Sequence, residues 1–282
     1  AGAGLPGVLP AEGDAVSAAA TASDVLSGAA RWCALEGDGL SVLAGLPGAS
    51  VDTVTIDPPY CSGGVSEASR TASTGQGLRS ENLAKFGWFV GDNMTTAGLV
   101  WLLRTTAFEA LRVVKPSGSL LVFADWRMVP NLGPAIESAG WRYQNLIVWN
   151  KGSMGLGTGF RAQHEMVLHY TAGAPVYHHK GTSNVITVPR VTGDDREHQT
   201  QKPVRLMREL LRVVSPVDGV VVDTFAGSGS TGVAALEEGM RAILCERAAA
   251  HVETIRERCA AVATGVDHRA PVEQGRLFSG AA

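Results

Sequence analysis

The 282-residue chain has only four cysteines, Cys33, Cys61, Cys245 and Cys259, far apart and forming no CxxC pair. That spacing speaks against a zinc site and against a disulfide framework, so no metal is expected and a reducing cytoplasm is the expected location. No uncharged apolar run approaches the ~20 residues needed to cross a bilayer, which argues against a membrane span. The first thirty residues are rich in Ala, Gly and Ser but lack a basic start followed by an apolar block, so they do not read as a signal peptide. Charged residues are sparse, at 18%, against 45% hydrophobic residues; this balance excludes disorder of the whole chain. The net charge of −3 carries no whole-chain sign of a polyanion partner.

The distribution of charge says more. Residues 1–60 hold seven acids against one base, whereas residues 150–212 hold nine bases against five acids. His164, His169, His178 and His179 fall in the same basic stretch. Such a stretch suits the neighbourhood of a polyanion, and on charge alone it equally suits a solvated basic face.

Hydrophobic periodicity and turn formers divide the chain into alternating strands and helices. Residues 1–30 are low in complexity and expected to be a flexible N-terminal segment, and 265–282 a flexible tail. Between them, 31–264 reads as one domain. Helices are predicted at 40–46, 97–114, 134–139, 203–214, 230–238 and 248–262, and strands at 51–56, 119–124, 144–149, 165–170, 219–225 and 241–245. Residues 61–97 are rich in Gly and Ser without a clear period, as expected of a mobile functional loop. The alternation predicts an α/β fold, a doubly wound and mostly parallel sheet with helices on both faces.

Two motifs carry chemistry. Val220 to Gly232 reads as a strand, a glycine turn and a helix start, with Gly227, Gly229 and Gly232 spaced as GxGxxG and Glu246 ending the next strand. In such a unit the glycines let a ligand approach the backbone and the acid accepts bonds from two ribose hydroxyls. The pattern points to a nucleoside cofactor and leaves NAD, FAD and S-adenosylmethionine open. The second motif is Asp57-Pro58-Pro59-Tyr60 at the end of the 51–56 strand. Two prolines cannot continue a sheet ladder, so the strand ends in a rigid loop. A carboxylate, a proline carbonyl and an exposed aromatic suit the exocyclic amine of a nucleobase. The acceptors hold the two N–H groups and favour a more nucleophilic nitrogen, and Tyr60 stacks on the base once it leaves the duplex.

At these two motifs the sequence resembles the amino-group DNA methyltransferases that use S-adenosylmethionine. In that family DPPY is the catalytic motif, and Phe225-Ala226-Gly227-Ser228-Gly229 resembles the cofactor motif. Because the catalytic motif comes first, the permuted order resembles the β group. Further matches follow the same order and extend the resemblance over roughly 34–262. Glu36-Gly37-Asp38-Gly39 resembles the segment that meets the cofactor's adenine side. Val148 to Lys151 and Arg161 to Glu165 resemble the segments shaping the target-base pocket, and Thr200-Gln201-Lys202-Pro203 the segment closing over the methionine end.

The resemblance implies a Rossmann-like methyltransferase sheet. It implies catalytic roles for Asp57, Pro58, Pro59 and Tyr60, and cofactor contacts from Asp38, Asp57, Thr200, Lys202, Phe225, Ala226, Gly227, Ser228, Gly229 and Glu246. Double-stranded DNA is the implied partner, met by Lys151, Arg161, His164, Lys180 and Arg190, with 171–200 as a candidate target-recognition insert. Family members often pair as dimers, although no seam is legible here, and a restriction endonuclease partner would be separately encoded. DPPY at 57–60, as opposed to SPPY, tilts the resemblance toward the N6 amine of adenine over the N4 amine of cytosine. Bland alternatives stand beside these roles: Asp38 as a helix cap, Glu246 as a plain strand-end acid, Lys202 paired with Glu209, and Trp149 as core. A nicotinamide-dependent oxidoreductase using the same glycine turn is the rival from another class, and it gives DPPY no role.

Overall fold

The computed structural model describes residues 20–60, 95–155, 159–191 and 201–263. In chain order the elements are α1 (Ala22–Ser27), β1 (Trp32–Glu36), α2 (Gly39–Gly45), β2 (Val51–Ile56), α3 (Thr96–Val113), β3 (Val114–Ala124), α4 (Val129–Glu137) and β4 (Arg142–Asn150). They continue with β5 (His164–Thr171), β6 (Val185–Thr187), α5 (Val204–Val214), β7 (Val220–Asp223), α6 (Ser230–Glu237), β8 (Arg241–Glu246) and α7 (Ala249–Ala263).

All six residues of β2 are buried, as expected of a strand covered on both faces. The eight strands form one sheet in the order β1-β8-β7-β2-β3-β5-β4-β6. Strands β1, β8, β7, β2 and β3 are mutually parallel, β5 runs antiparallel to both its neighbours, and β6 is parallel to β4. Alternate residues feed two cores. Leu120, Val122 and Ala124 of β3 pack with Leu43, Leu103 and Leu132 of α2, α3 and α4; Leu121 and Phe123 pack on the other side with Leu206, Val233 and Ile255 of α5, α6 and α7. The sheet is therefore doubly wound.

From β2 the chain crosses through α3 to β3 on one side. From β7 it crosses through α6 to β8 on the other. Between β2 and β7 the winding reverses, and the crevice beyond the carboxyl ends of two such strands is where ligands bind in open α/β sheets. Three polar contacts tie this junction together. Asp52 accepts from Lys115 Nζ at 2.8 Å and from the Val220 amide at 2.8 Å, and the Thr53 and Ser215 hydroxyls lie 2.6 Å apart.

Four features differ from the expectations above. The segment expected to be loose up to residue 30 contains α1. A capping box between Thr21 and Asp24 starts it, Gly28 with φ 83° ends it, and Arg241 donates to the Val25 carbonyl at 2.7 Å. Strands β1 and β6 lacked a signal because five and three residues are too few to show a period. Helix α4 begins at Val129, five residues before the predicted start at Pro134. Pro130 occupies the first turn, where its missing N–H costs nothing, and Pro134 is carried inside. Helix α3 takes in 96–97, the last residues of the expected loop. Residues 61–94 of that loop, 1–19 of the N-terminal segment, Thr200 and 264–282 lie outside the described residues. Among the described residues no helix is long and apolar enough to cross a membrane.

Candidate active site

Strand β2 leads directly into Asp57, and the two prolines behind it keep this loop at the carboxyl end of the strand. Strand β7 lies alongside in register, Thr55 against Asp223, and the Thr224 amide donates to the Thr55 carbonyl at 3.3 Å. The acidic loop and the glycine turn are thus the ends of two hydrogen-bonded parallel strands.

Three side chains converge on Asp57. Lys202, delivered just before α5 and nearly buried, places Nζ 2.7 Å from Asp57 Oδ2. The Tyr60 hydroxyl lies 3.1 Å from Asp57 Oδ1 and donates to Glu165 Oε2 at 2.8 Å. Glu165 Oε2 is also 3.4 Å from Lys202 Nζ, while its Oε1 accepts from Lys151 at 2.5 Å. Glu165 arrives because β5 is antiparallel: its first residues lie at the end of the sheet where the parallel strands finish. Burial pushes the Asp57 carboxyl up, and Lys202 offsets this only in part. Burial also opposes the Lys202 ammonium, but the Asp57 and Glu165 carboxylates carry its pKa above the ordinary lysine value, so it remains charged. For Glu165, burial is outweighed by Lys202 and Lys151, and its carboxyl titrates below the usual range. The result is a desolvated cluster of two carboxylates and two ammoniums.

The other half of the crevice is the glycine turn. Gly227 and Gly229 have φ 52° and 84°, where a side chain is strained, and a Cβ on Gly227 would meet open space. A ligand can therefore approach this backbone closely. Glu246 Oε2 accepts from the Gly227 amide at 3.0 Å and Oε1 from the Ala248 amide at 2.9 Å. These bonds fix the carboxylate beside the turn; with His251 they outweigh burial and hold it ionised. Asp38 Oδ1 caps α2 through the Leu40 and Ser41 amides, so the helix-cap alternative describes its contacts. Gly39 allows that helix start to abut the turn, since a Cβ there would lie 2.4 Å from the Thr224 carbonyl oxygen. Buried Ser228 and Ala226 and half-buried Phe225 complete the turn, with Arg258 donating to the Ser228 carbonyl. Ser230, at the start of α6, has a buried hydroxyl without a partner among the described residues. A left-handed glycine facing open space, a fixed carboxylate and an orphan hydroxyl fit a nucleoside cofactor.

The other expected residues are distributed unevenly. Trp149 is core, 2% exposed, with Nε1 bonded to the Val188 carbonyl. Lys202 pairs with Asp57 in place of Glu209, which pairs with Arg212. The charge of Lys151 is committed to Glu165, and the ammonium lies over the Trp149 ring. Arg161 is exposed on the hairpin joining β4 to β5, and His164 is half-buried at the first residue of β5. Exposed Arg190 follows β6 at the end of the sheet that carries the site. Lys180 lies elsewhere. It lines a cavity of about 330 Å³ with Asn145 and His169, which pair five residues along β4 and β5 from Asn150 and His164, or ~16 Å away.

Glu165 was marked only as the end of the pocket segment Arg161 to Glu165, with no role of its own, and Asp223 was not marked as a site residue. Asp223 accepts from the Phe225 amide and the Thr231 hydroxyl, shaping the turn from below, and burial pushes its carboxyl up to about 6. In each case the available signal was an acid at the end of a strand that is otherwise mostly apolar.

Comparison with known proteins agrees with this geometry. A family model described as DNA methylase, of the N6/N4 type, matches residues 51–257. The methylase YubD of Escherichia coli (strain K12) is 29% identical over 228 residues, 81% of this chain and 90% of that protein. Among solved structures, the PvuII DNA methyltransferase, cytosine-N4-specific, superposes with a TM-score of 0.62 at 17% identity, covering 84% of this chain and 94% of that one. The M1.HpyAVI–SAM complex gives 0.57 at 17% identity, covering 80% and 99%. The chain belongs to the N6/N4 DNA methylase family, the S-adenosylmethionine-dependent DNA amino-methyltransferases.

Proposed function

We propose that the protein transfers a methyl group to the exocyclic N6 amine of an adenine swung out of double-stranded DNA. The observation that carries this reading is the Asp57–Lys202–Tyr60 cluster, one strand from an open glycine turn. When bound, S-adenosylmethionine supplies an electrophilic methyl on its sulfonium. The Gly227 backbone and Glu246 hold the nucleoside end, Glu246 by accepting from ribose hydroxyls, with Asp38 toward the adenine side.

On the substrate side, Asp57 and the Pro58 carbonyl accept the two amine N–H groups and draw the nitrogen lone pair out of conjugation with the ring. The lone pair forms the N–CH3 bond as the S–CH3 bond breaks, with S-adenosylhomocysteine as the product, and the surplus N–H proton then passes to water. Lys202 favours ionised Asp57 and, having no acceptor of its own, does not compete for the amine protons. Tyr60 offers an aromatic surface to the extruded base, while its hydroxyl keeps the ring edge on the carboxylates. Positioning and exclusion of water supply most of the rate enhancement. Arg161, His164 and Arg190 are the proposed phosphate contacts around the mouth; Lys151 acts as a wall of the base pocket, and Lys180 serves DNA only on a footprint reaching beyond the site.

The amine of cytosine at N4 is the second reading, favoured by the fold match to the cytosine-N4-specific PvuII enzyme. Incubating the protein with labelled S-adenosylmethionine and genomic DNA, then digesting to nucleosides, separates the two. Label in N6-methyl-2′-deoxyadenosine is expected, label in N4-methyl-2′-deoxycytidine reassigns the base, and DNA without label overturns the proposal.

A further inference from the structure

Glu165 Oε2 contacts the same two donors that contact Asp57, the Tyr60 hydroxyl and the Lys202 ammonium. The four groups close a ring. Tyr60 has one proton to give, and its contact with Glu165, at 2.8 Å, has the usual O–H···O length, whereas the contact with Asp57, at 3.1 Å, is long. The proton is thus directed at Glu165, and Asp57 Oδ1 keeps its accepting lone pairs. Without Glu165 the hydroxyl would turn to Asp57 and occupy the oxygen that an incoming amine needs. Lys151, bonded to the far oxygen of Glu165, fixes that carboxylate in turn. The charges facing Asp57 are Lys202, Glu165 and, from the side of the turn, Asp223.

We propose that Glu165 is a positioning residue for methyl transfer, drawing the Tyr60 proton away from Asp57 so that Asp57 stays open to the substrate amine. This rests on the function proposed above, but part of it is testable on the free protein. Glu165 is a like charge near Asp57, so removing it makes Asp57 a stronger acid. In carboxyl ¹³C NMR spectra of the free protein, with Asp57 assigned by Asp57→Asn, Glu165→Gln moves the Asp57 titration down by ~0.5–1 pH unit. An Asp57 titration that stays in place or moves up overturns the proposal whether or not DNA is methylated.

With DNA, Glu165→Ala lowers the single-turnover methylation rate by about 10- to 100-fold at unchanged cofactor affinity. Glu165→Asp recovers part of the loss. The decisive variant is Tyr60→Phe in the Glu165→Ala background: with no hydroxyl left to block Asp57, methylation rises above that of Glu165→Ala alone. A Glu165→Ala enzyme at wild-type rate, or a double variant no faster than Glu165→Ala, overturns the proposal. A wild-type protein that methylates no DNA overturns the functional reading instead, and the NMR titration still decides the role of Glu165.

Discussion

Tyr60 has two tasks that mutation can separate. Its hydroxyl belongs to the carboxylate cluster, and one side of its ring is covered by the Lys202 ammonium at 5.2 Å from the ring centre. The ring surface left over is what an extruded base would stack on. Base–aromatic stacking is worth ~1–3 kcal/mol, so Tyr60→Ala weakens binding of DNA carrying an unpaired target base by about 5- to 150-fold. Cofactor affinity changes little, because Glu246 and the glycine turn are untouched. Calorimetry on both ligands checks this; intact DNA binding with lost cofactor binding would contradict it. Lys202 shows why residue-level roles were only partly legible. Its neighbours Gln201 and Pro203 marked the segment, but its partners Asp57 and Glu165 lie 145 and 37 positions away, and sequence patterns do not report such separations.

At the scale of elements, strong local patterns were legible and weak ones were not. Strand β2 was bounded correctly because a run of β-branched residues, broken only by Asp52, leads through Asp57 into two prolines, and α5 because Pro203 opens an apolar period. The glycine turn was legible because left-handed conformations at Gly227 and Gly229 demand that residue. Strands β1 and β6 carried too few residues, and α1 was hidden in an Ala/Ser-rich segment whose stability comes from its caps and from Arg241 across the sheet. Strand β5 was legible as a strand, but its direction was not, and direction is what brings Glu165 to the site. Glu165 was therefore marked only as part of the pocket segment 161–165, and its contacts with Tyr60 and Lys202 follow from the reversed strand.

For the whole molecule, pH acts through groups buried away from the chemistry as well as within it. His169, on the inner part of β5, is 3% exposed with Nε2 facing the Ser119 hydroxyl, and burial lowers its pKa from 6.5 to about 4. Above pH 6.5 the imidazole is neutral in both folded and unfolded chains, and it contributes no pH dependence. As pH falls from 6.5 toward 4, the unfolded chain takes up the proton first, so stability is lost with falling pH, by up to ~3 kcal/mol. Urea unfolding followed from pH 7 to pH 5 shows this slope, reduced in His169→Asn; equal slopes in the two proteins would contradict it. Activity at low pH is then limited from two directions, by the fold through His169 and by the site through the raised Asp57 carboxyl.

The sheet joins these scales by setting the ends of β2 and β7 side by side, one bearing an acceptor for an amine and the other a turn open to a nucleoside. The most direct measurement compares wild type with Asp57→Ala for S-adenosylmethionine affinity by calorimetry and for methyl transfer to DNA in a single turnover. The predicted result is cofactor affinity within about threefold and methyl transfer lower by about 100-fold or more, a loss of at least ~2.7 kcal/mol of transition-state stabilisation. An Asp57→Ala protein that binds the cofactor and methylates DNA at near the wild-type rate would contradict the account.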